Sequence, residues 1–487
     1  MGEVSMWLVR EIMDLILLLV HGISELLRTR HDFMELEKGI FRLVQEVARR
    51  ALVLALHRLD DELMRRRDAA RYELVHSKPR TIVTPFGKVQ VRRRYYRDRQ
   101  SGEGHFLLDE ALGWTARQRL SPWATELAVA MAAEMPYHRA AAVLAKLTLG
   151  GMDVRAMSVW REVQEVGAVR VEQAEAQRRA VFDRGEVPAG QRRTERLRIE
   201  VDEVVVQGRG PRGAHRHLGL KLAVGYEGKE QVGQNRWQLV ERRVTAGLAS
   251  AEVFSEQTYA DFGSKWDLSA VQDVVVGGDG APWVKQWAGT FAGARYQLDP
   301  FHLRRALLEG LSHDEEAYRK AVEALKAKDW SQVEQVLATA ERASRGAQRK
   351  RVAGLRKYLQ ENWDGICRSG AADSLGTIEG QVFHHVARRM KRHGAQWSDR
   401  GADHLVRLLA ARANGELAVM GRQAWPMQSE VLRQATGSTA IRVQPGELND
   451  PEAWLRVNLP ALSGPAAGSP WVKYVLRELV RALPRSA

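Results

Sequence analysis

The spacing of apolar and polar side chains changes several times along the 487-residue chain, and each change predicts an element. Over residues 1–76 apolar residues return at helical intervals, first Ile12, Leu15, Ile16, Val20, Ile23 and Leu27, then Phe41, Val44, Val47, Leu52 and Leu56. These predict helices in a packing or oligomerisation bundle. From Lys78 to Arg99 two β-prone runs flank Pro85-Phe86-Gly87, which predicts a hairpin. Residues 115–180 are helical again. Within them a helix ending near Leu147, a turn at Thr148 to Gly151 and a second helix from about Val154 to Val166 trace a helix-turn-helix, although any helical hairpin with glycines traces the same outline. Residues 183–196, DRGEVPAGQRRTER, are polar and rich in breakers, and predict a linker.

Beyond the linker the period shortens. Arg196 to Val206, His217 to Tyr226 and Trp237 to Ala246 read as strands joined by short turns, hence an antiparallel meander. A helix over Ala251 to Gly263 follows. Val274-Val275-Val276 is a short buried strand that stops at Gly277-Gly278-Asp279-Gly280. Pro282 opens a helix carrying Trp283, Val284 and Trp287, and a further strand, Ala294 to Leu298, ends in Asp299-Pro300. In the order βββαβαβ the crossover helices set the later strands parallel to the first. The expected fold is multidomain and mainly α, with an α/β ribonuclease-H-like core: a mixed sheet with helices on both faces.

Arg304 to Ile366 is purely helical, as Asp314–Ala327, Ser331–Ser344 and Gln348–Asn362, and reads as an insertion into that core. Next comes a helix with Glu379 in its first turn and Val382, Phe383, Val386 and Met390 on its inner face. Beyond residue 420 prolines and glycines break the pattern, and one amphipathic helix, Trp471 to Leu483, closes it. The domain boundaries expected from these shifts are 1–76, 77–182, 196–303, 304–370, 371–415 and 416–487.

Charge narrows the class. The net charge of +14 points to a polyanionic partner, nucleic acid above all. The predicted hairpin concentrates it: Lys78, Arg80, Lys88, Arg92, Arg93, Arg94, Arg97 and Arg99 stand against a single nearby acid, Asp98, with Tyr95 and Tyr96 interleaved. Cations there would neutralise phosphates and tyrosines would stack on bases. Arg155, Ser158 and Arg161 could enter a major groove from the second helix of the helix-turn-helix, and Lys391 and Arg392 extend the basic surface. One cysteine, Cys367, excludes a disulfide framework and fits a reducing cytoplasm. Ile12 to Leu27 is interrupted by Asp14, His21, Ser24 and Glu25, too polar to span a bilayer, and no signal peptide is read.

Three carboxylates sit in positions that suit chemistry. Asp279 ends a buried strand, where open α/β sheets bind ligands, although such an acid is more often a turn or capping residue than a catalyst. The first strand carries Asp202 and Glu203, which alternate to opposite faces, so spacing leaves open which one serves. Glu379 shares an apolar helix face and needs a partner there, unless it only caps the helix. Such oxygen donors suit Mg²⁺ or Mn²⁺, and two ions about 3.5–4 Å apart would clamp an in-line phosphoryl transfer.

The stretches IEVDEVVVQ, HLGLKLAVGYEG, GGDGAPWVKQ, YQLDPFHL and GTIEGQVFHHVARRMKRHGAQWSDRGADHLVRLL resemble those of DDE transposases of bacterial insertion sequences, the ISLre-type group in particular. Together with a similar amino-terminal half, the resemblance covers most of the chain. It implies that Asp202, rather than Glu203, joins Asp279 and Glu379 in an acidic triad holding two Mg²⁺ or Mn²⁺ ions. Asp299-Pro300-Phe301-His302 resembles the D-x-x-H signature of Mutator-like transposases, which places Asp299 and His302 beside the site. The implied activity is strand cleavage at the element's terminal inverted repeats and strand transfer into target DNA, by a homodimer or larger assembly at the bacterial nucleoid. A DNA-binding protein without catalysis and a nuclease that does not join strands are the alternatives. A glycosidase reading of paired carboxylates fits the positive charge poorly.

Overall fold

The computed structural model describes residues 6–417 apart from 31, 211–213, 235, 369–374 and 393. The predicted helix Trp471 to Leu483, with the rest of 418–487, lies outside the described residues.

The chain opens with a helical hairpin, α1 (Met6–Thr29) against α2 (Phe33–Arg66), as the apolar spacing predicts. The predicted β-hairpin follows as β1 (Tyr72–Thr84) and β2 (Gly87–Asp98), with Thr84 opposite Gly87 across the Pro85-Phe86 turn. A short β3 (Gly104–His105) pairs with β2 and leads into α3 (Leu107–Leu112). Acids that pair with the hairpin's cations come from its neighbours, while Asp98 pairs with Arg71, just ahead of β1. Arg94 pairs with Asp60 and Asp61 of α2, and Arg80 and Arg93 converge on Asp109 of α3. The sequence set those cations against Asp98 alone because acids on other elements are invisible to local spacing.

Next come α4 (Pro122–Glu134), α5 (Tyr137–Leu147) and α6 (Ala156–Phe182). The break after Leu147 falls where it was expected, but α6 runs well past Val166. Gly167 lies inside it, and a Cβ there would come within 2.4 Å of His404 Cβ. The glycine thus permits a close crossing with α16 (Asp399–Ala413) instead of ending the helix. Hence α6 is a packing helix through Val159, Val163 and Val166, with Arg155 exposed ahead of it and Met157, Trp160 and several residues of its second half exposed on its outer side.

After the extended segment 183–195 the main sheet begins: β4 (Arg196–Arg209), β5 (His215–Tyr226), β8 (Arg243–Gly247), β9 (Asp273–Gly278) and β10 (Arg295–Leu298), in spatial order β10-β9-β4-β5-β8. The β4, β5 and β8 pairings are antiparallel, while β9 and β10 run parallel to β4. Helix α7 (Ala251–Gly263) provides one crossover and α8 (Pro282–Trp287) the other. The predicted third strand needs correction. Trp237 to Ala246 is two strands, broken at Glu241, where φ is +53°. The first, β7 (Arg236–Val240), pairs with β6 (Gly228–Gly233) in a separate ribbon, and only β8 joins the sheet. Each face is apolar. Leu197, Ile199 and Val201 pack under α7 and α8 with Phe254, Trp266 and Trp287. Val204, Val206, Leu220 and Leu222 pack under α4, α6 and α16.

The chain continues through α9 (Pro300–Leu311) into α10 (Glu315–Lys326), α11 (Trp330–Ala343), α12 (Gly346–Glu361) and a short α13 (Trp363–Cys367). Their bounds agree with the predicted helices to within two residues. Asp314 and Asp329 start α10 and α11 by accepting backbone N–H groups. These helices bury their own core around Leu311, Val333, Leu337, Val352 and Leu359.

The last helical run is α14 (Ile378–Val382), a π turn over Phe383–Ala387, and α15 (Arg388–Met390). Its buried stripe is Ile378, Val382, Val386 and Met390, a strict four-residue repeat, whereas Phe383 is 45% exposed. The sequence placed Phe383 inside because it assumed a 3.6-residue period. The wider turn holds every fourth residue on the core and swings Phe383 out.

Candidate functional site

Sheet register sets the site. Glu200 of β4 is level with Gly277 of β9, so Asp202 stands beside the turn that carries Asp279. Alternation along β4 sends Asp202 to the face covered by α14 and Glu203 to the other, where it meets Lys221 at 3.7 Å. Asp299 ends β10 one strand further out and caps α9 by accepting the His302 N–H. The site therefore gathers at the carboxyl edge of the parallel strands, at the chain reversals.

Asp202, His302 and Glu379 can each offer a ligand atom within 4.8 Å of the others. His302 is the hub. Its Nδ1 lies 2.8 Å from Asp299 Oδ2 and its Nε2 lies 3.6 Å from Glu379 Oε1. Asp299 is almost fully buried, and its Oδ1 has no hydrogen-bond partner among the described residues. Asp279 is outside the three-residue set, but it lines a cleft of about 560 Å³ with His302, Arg305, Arg351 and Tyr358. Its carboxylate accepts the Ala281 N–H at 2.9 Å, so the turn use of this acid is realised as well. The carboxylate also faces the same group of charges.

The electrostatics are those of crowded buried acids. Burial pushes Asp202 up to about 6, and the charges of Glu379 and Asp279 push in the same direction, against the Glu203 N–H and His302. Burial opposes charging His302, yet the Asp299 hydrogen bond and the charges of Asp202 and Asp279 outweigh it and raise the ring above its ordinary pKa. A carboxylate holding one ring nitrogen leaves the other aimed at the cluster, the arrangement found behind metal-bound histidines.

Two features outside the expected set position these groups. Glu200, fully buried on the Asp202 face, accepts the N–H groups of Gly376 and Thr377, each at 2.8 Å, and of Ile378 at 3.2 Å. It also accepts the hydroxyls of Thr377 at 2.5 Å and Tyr226 at 2.6 Å. A carboxylate thus anchors the first turn of the helix that carries Glu379. The second feature comes from the inserted helices. Tyr358 donates its hydroxyl to the Asp279 carbonyl at 2.7 Å. Gly280, at φ +90°, has Asn362 so close that a Cβ would sit 2.6 Å from it. The signal for Glu200 was present in IEVDEVVVQ, as an acid two residues before Asp202 on the same strand face.

Residues 26–426 match the profile of a family described as "Uncharacterised protein family (UPF0236)". The chain belongs to the UPF0236 family. A relative described as "UPF0236 protein in vanSb 3′ region", from Streptococcus gallolyticus, is 30% identical over 84% of this chain and 90% of its own length. Two UPF0236 proteins of Caldanaerobacter subterraneus subsp. tengcongensis are 24% and 22% identical, each over 80% of this chain, and over 81% and 80% of their own lengths.

In this UPF0236 chain the basic residues singled out in the sequence divide into two kinds. Arg92, Arg155, Lys391 and Arg392 are exposed. Arg93 and Arg94 are built into the fold through Asp109, Asp60 and Asp61, and Arg161 is half-buried. Lys391 and Arg392 lie beyond the end of α15, with the Arg392 guanidinium over the Phe383 ring at 5.7 Å. Among the described residues no helix is long and apolar enough to cross a membrane.

Proposed function

We propose that the chain is a DDE transposase, whose α/β core is of the ribonuclease-H-like kind and whose centre cleaves DNA at element ends and joins it to a target. The observation that carries this reading is the convergence of Asp202, Glu379 and His302 beside the Asp279 turn, from elements far apart in sequence. The donor set fits a hard divalent cation. It offers carboxylate oxygens and one imidazole, with Asp202 held in buried, like-charged surroundings that a cation would relieve. Asp202 and Glu379 would hold such ions, with Asp279 completing the set from the neighbouring strand end. Mg²⁺ or Mn²⁺ bound there supplies an activated water and neutralises charge building on the transferring phosphoryl group.

The protein's own groups do the positioning. Asp299 fixes the His302 ring through Nδ1, so that Nε2 can donate a proton to, or bind, whatever lies between it and Glu379. Glu200 fixes the start of the Glu379 helix. Tyr358 fixes the Asp279 turn. Arg305 and Arg351, both exposed at the mouth of the cleft, are placed to meet phosphates entering it. The exposed Arg92 and Arg155 offer a second contact surface on the amino-terminal half. One Caldanaerobacter relative carries a name that joins eleven designations, which supports a gene present in many copies, as a mobile element's gene would be.

The test uses purified chain, Mg²⁺ and labelled DNA containing the sequences that flank its gene. Nicking at the element boundary and joining of pre-cut ends are expected. Cleavage without joining would favour the nuclease reading, and salt-sensitive binding without metal-dependent cleavage the non-catalytic one.

A further inference from the structure

A second cleft, of about 350 Å³, opens along the helical run that carries Glu379. Arg242, Arg388, Arg389 and Arg412 line it, against one carboxylate, Glu134, whose side chain is 56% exposed. Three of these arginines are held by carbonyls and rings. Arg242 Nη2 donates to Ala413 O at 2.7 Å. Arg412 Nη1 donates to Ala133 O at 2.9 Å and meets Glu134 at 3.0 Å, while its Nη2 reaches the carbonyls of His384 and His385 in the π turn. Arg389 donates Nε to Ala132 O at 2.7 Å, with its guanidinium 5.4 Å from the Tyr137 ring and 5.6 Å from that of Trp397. It is 7% exposed, and its buried Nη2 has no hydrogen-bond partner among the described residues.

Carbonyl and ring contacts fix a guanidinium in place without cancelling its charge. Burying such a charge is costly unless an anion meets it. The surroundings are correspondingly positive: burial, with Arg242 and Arg412 acting in the same direction, brings His385 down to about 4, so that ring is neutral at pH 7. Planar guanidinium forks arriving from several directions match the oxygens of a tetrahedral anion. The volume accommodates one phosphodiester group.

We propose that this cleft is a phosphate-binding site, and that the phosphate it seats belongs to a DNA backbone. The choice of DNA rests on the transposase reading, whereas the site itself does not. Arg388 follows Glu379 by nine residues, about 13 Å along a helix, close to four base steps of roughly 3.4 Å. A duplex engaged at the carboxylates would thus be held a few nucleotides away.

The experiment uses the full chain with Arg388→Glu and Arg388→Lys, since Arg388 is exposed and its replacement leaves the core intact. Thermal unfolding is recorded in inorganic phosphate, acetate and chloride at matched ionic strength. Phosphate should raise the wild-type midpoint by several degrees over both other anions, Arg388→Glu should lose most of that rise and Arg388→Lys should keep it. Equal midpoints in the three salts would overturn the site. Duplex DNA affinity is then measured in EDTA, where Arg388→Glu should weaken binding about tenfold and lower the salt slope by about one to two. A phosphate effect with unchanged duplex affinity would overturn DNA as the source. Both effects together with no metal-dependent cleavage would sink the transposase reading and leave the site standing.

Discussion

The Glu200 carboxylate accepts the Thr377 hydroxyl at 2.5 Å, joining positions 177 residues apart in the chain. The contact ties the first strand of the sheet to the start of the helix that presents Glu379. It crosses the whole helical insertion, so the insertion can be long without loosening the carboxylate cluster.

Replacing Glu200 by Gln should therefore affect activity more than folding. Loss of a buried charge from the helix start is expected to destabilise the chain by about 1–3 kcal/mol. Metal-dependent cleavage, measured well below the unfolding midpoint, should fall at least tenfold as Glu379 loses its fixed position. Wild-type cleavage by folded Glu200→Gln would show that the anchor does not serve the site.

Tyr358→Phe tests the other support. Removing one hydroxyl from the Asp279 carbonyl should cost about 0.5–1.5 kcal/mol. Cleavage should slow, with a larger effect on turnover than on DNA affinity. An unchanged turnover would separate the inserted helices from the chemistry.

The two kinds of hairpin arginine should behave oppositely. Arg92→Ala should leave stability within about 0.5 kcal/mol and weaken duplex binding, lowering the salt slope by about one. Arg93→Ala removes one of the two cations that share the buried Asp109, and should destabilise by about 2–3 kcal/mol. Urea unfolding and binding titrations on both variants check the division. A destabilised Arg92→Ala beside a stable Arg93→Ala would reverse it.

Glu162, on α6, predicts a pH dependence of stability. Burial pushes it up to about 7, against a hydrogen bond from Thr125. Its folded pKa is above the ordinary value of 4.5, so the folded state binds the proton more tightly and stability falls as pH rises from 4.5 through 7. Glu162→Gln should raise the unfolding midpoint at pH 8, by about 1–3 kcal/mol of added stability, and change it little at pH 4.5. No gain at pH 8 would contradict the buried, proton-binding environment.

Periodicity predicted the hairpin at 85–86, the βββαβαβ order, the three inserted helices and the neighbouring first and fourth strands. These features are local, or follow from connection rules, and so they are written in the spacing. Three others depend on contacts distant in sequence. Gly167 looks like a helix breaker until α16 is seen crossing it. The true period of the Glu379 helix shows only once the π turn is in place. Asp60, Asp61 and Asp109 neutralise hairpin arginines from other elements. At the site, spacing singled out Asp279 and Glu379 but left Asp202 and Glu203 open; the resemblance to DDE transposases chose Asp202 and set Asp299 and His302 beside the three. The geometry makes His302 a closer neighbour of Asp202 and Glu379 than a flanking role suggests.

The most direct measurement is metal-dependent cleavage of labelled element-end DNA by the wild-type chain and by Asp202→Asn, Asp279→Asn and Glu379→Gln, with folding of each checked by thermal unfolding. The account predicts nicking in Mg²⁺ or Mn²⁺ by the wild type and loss of at least a hundredfold in every variant. A folded variant of any of these three residues that cuts as well as its parent would contradict it.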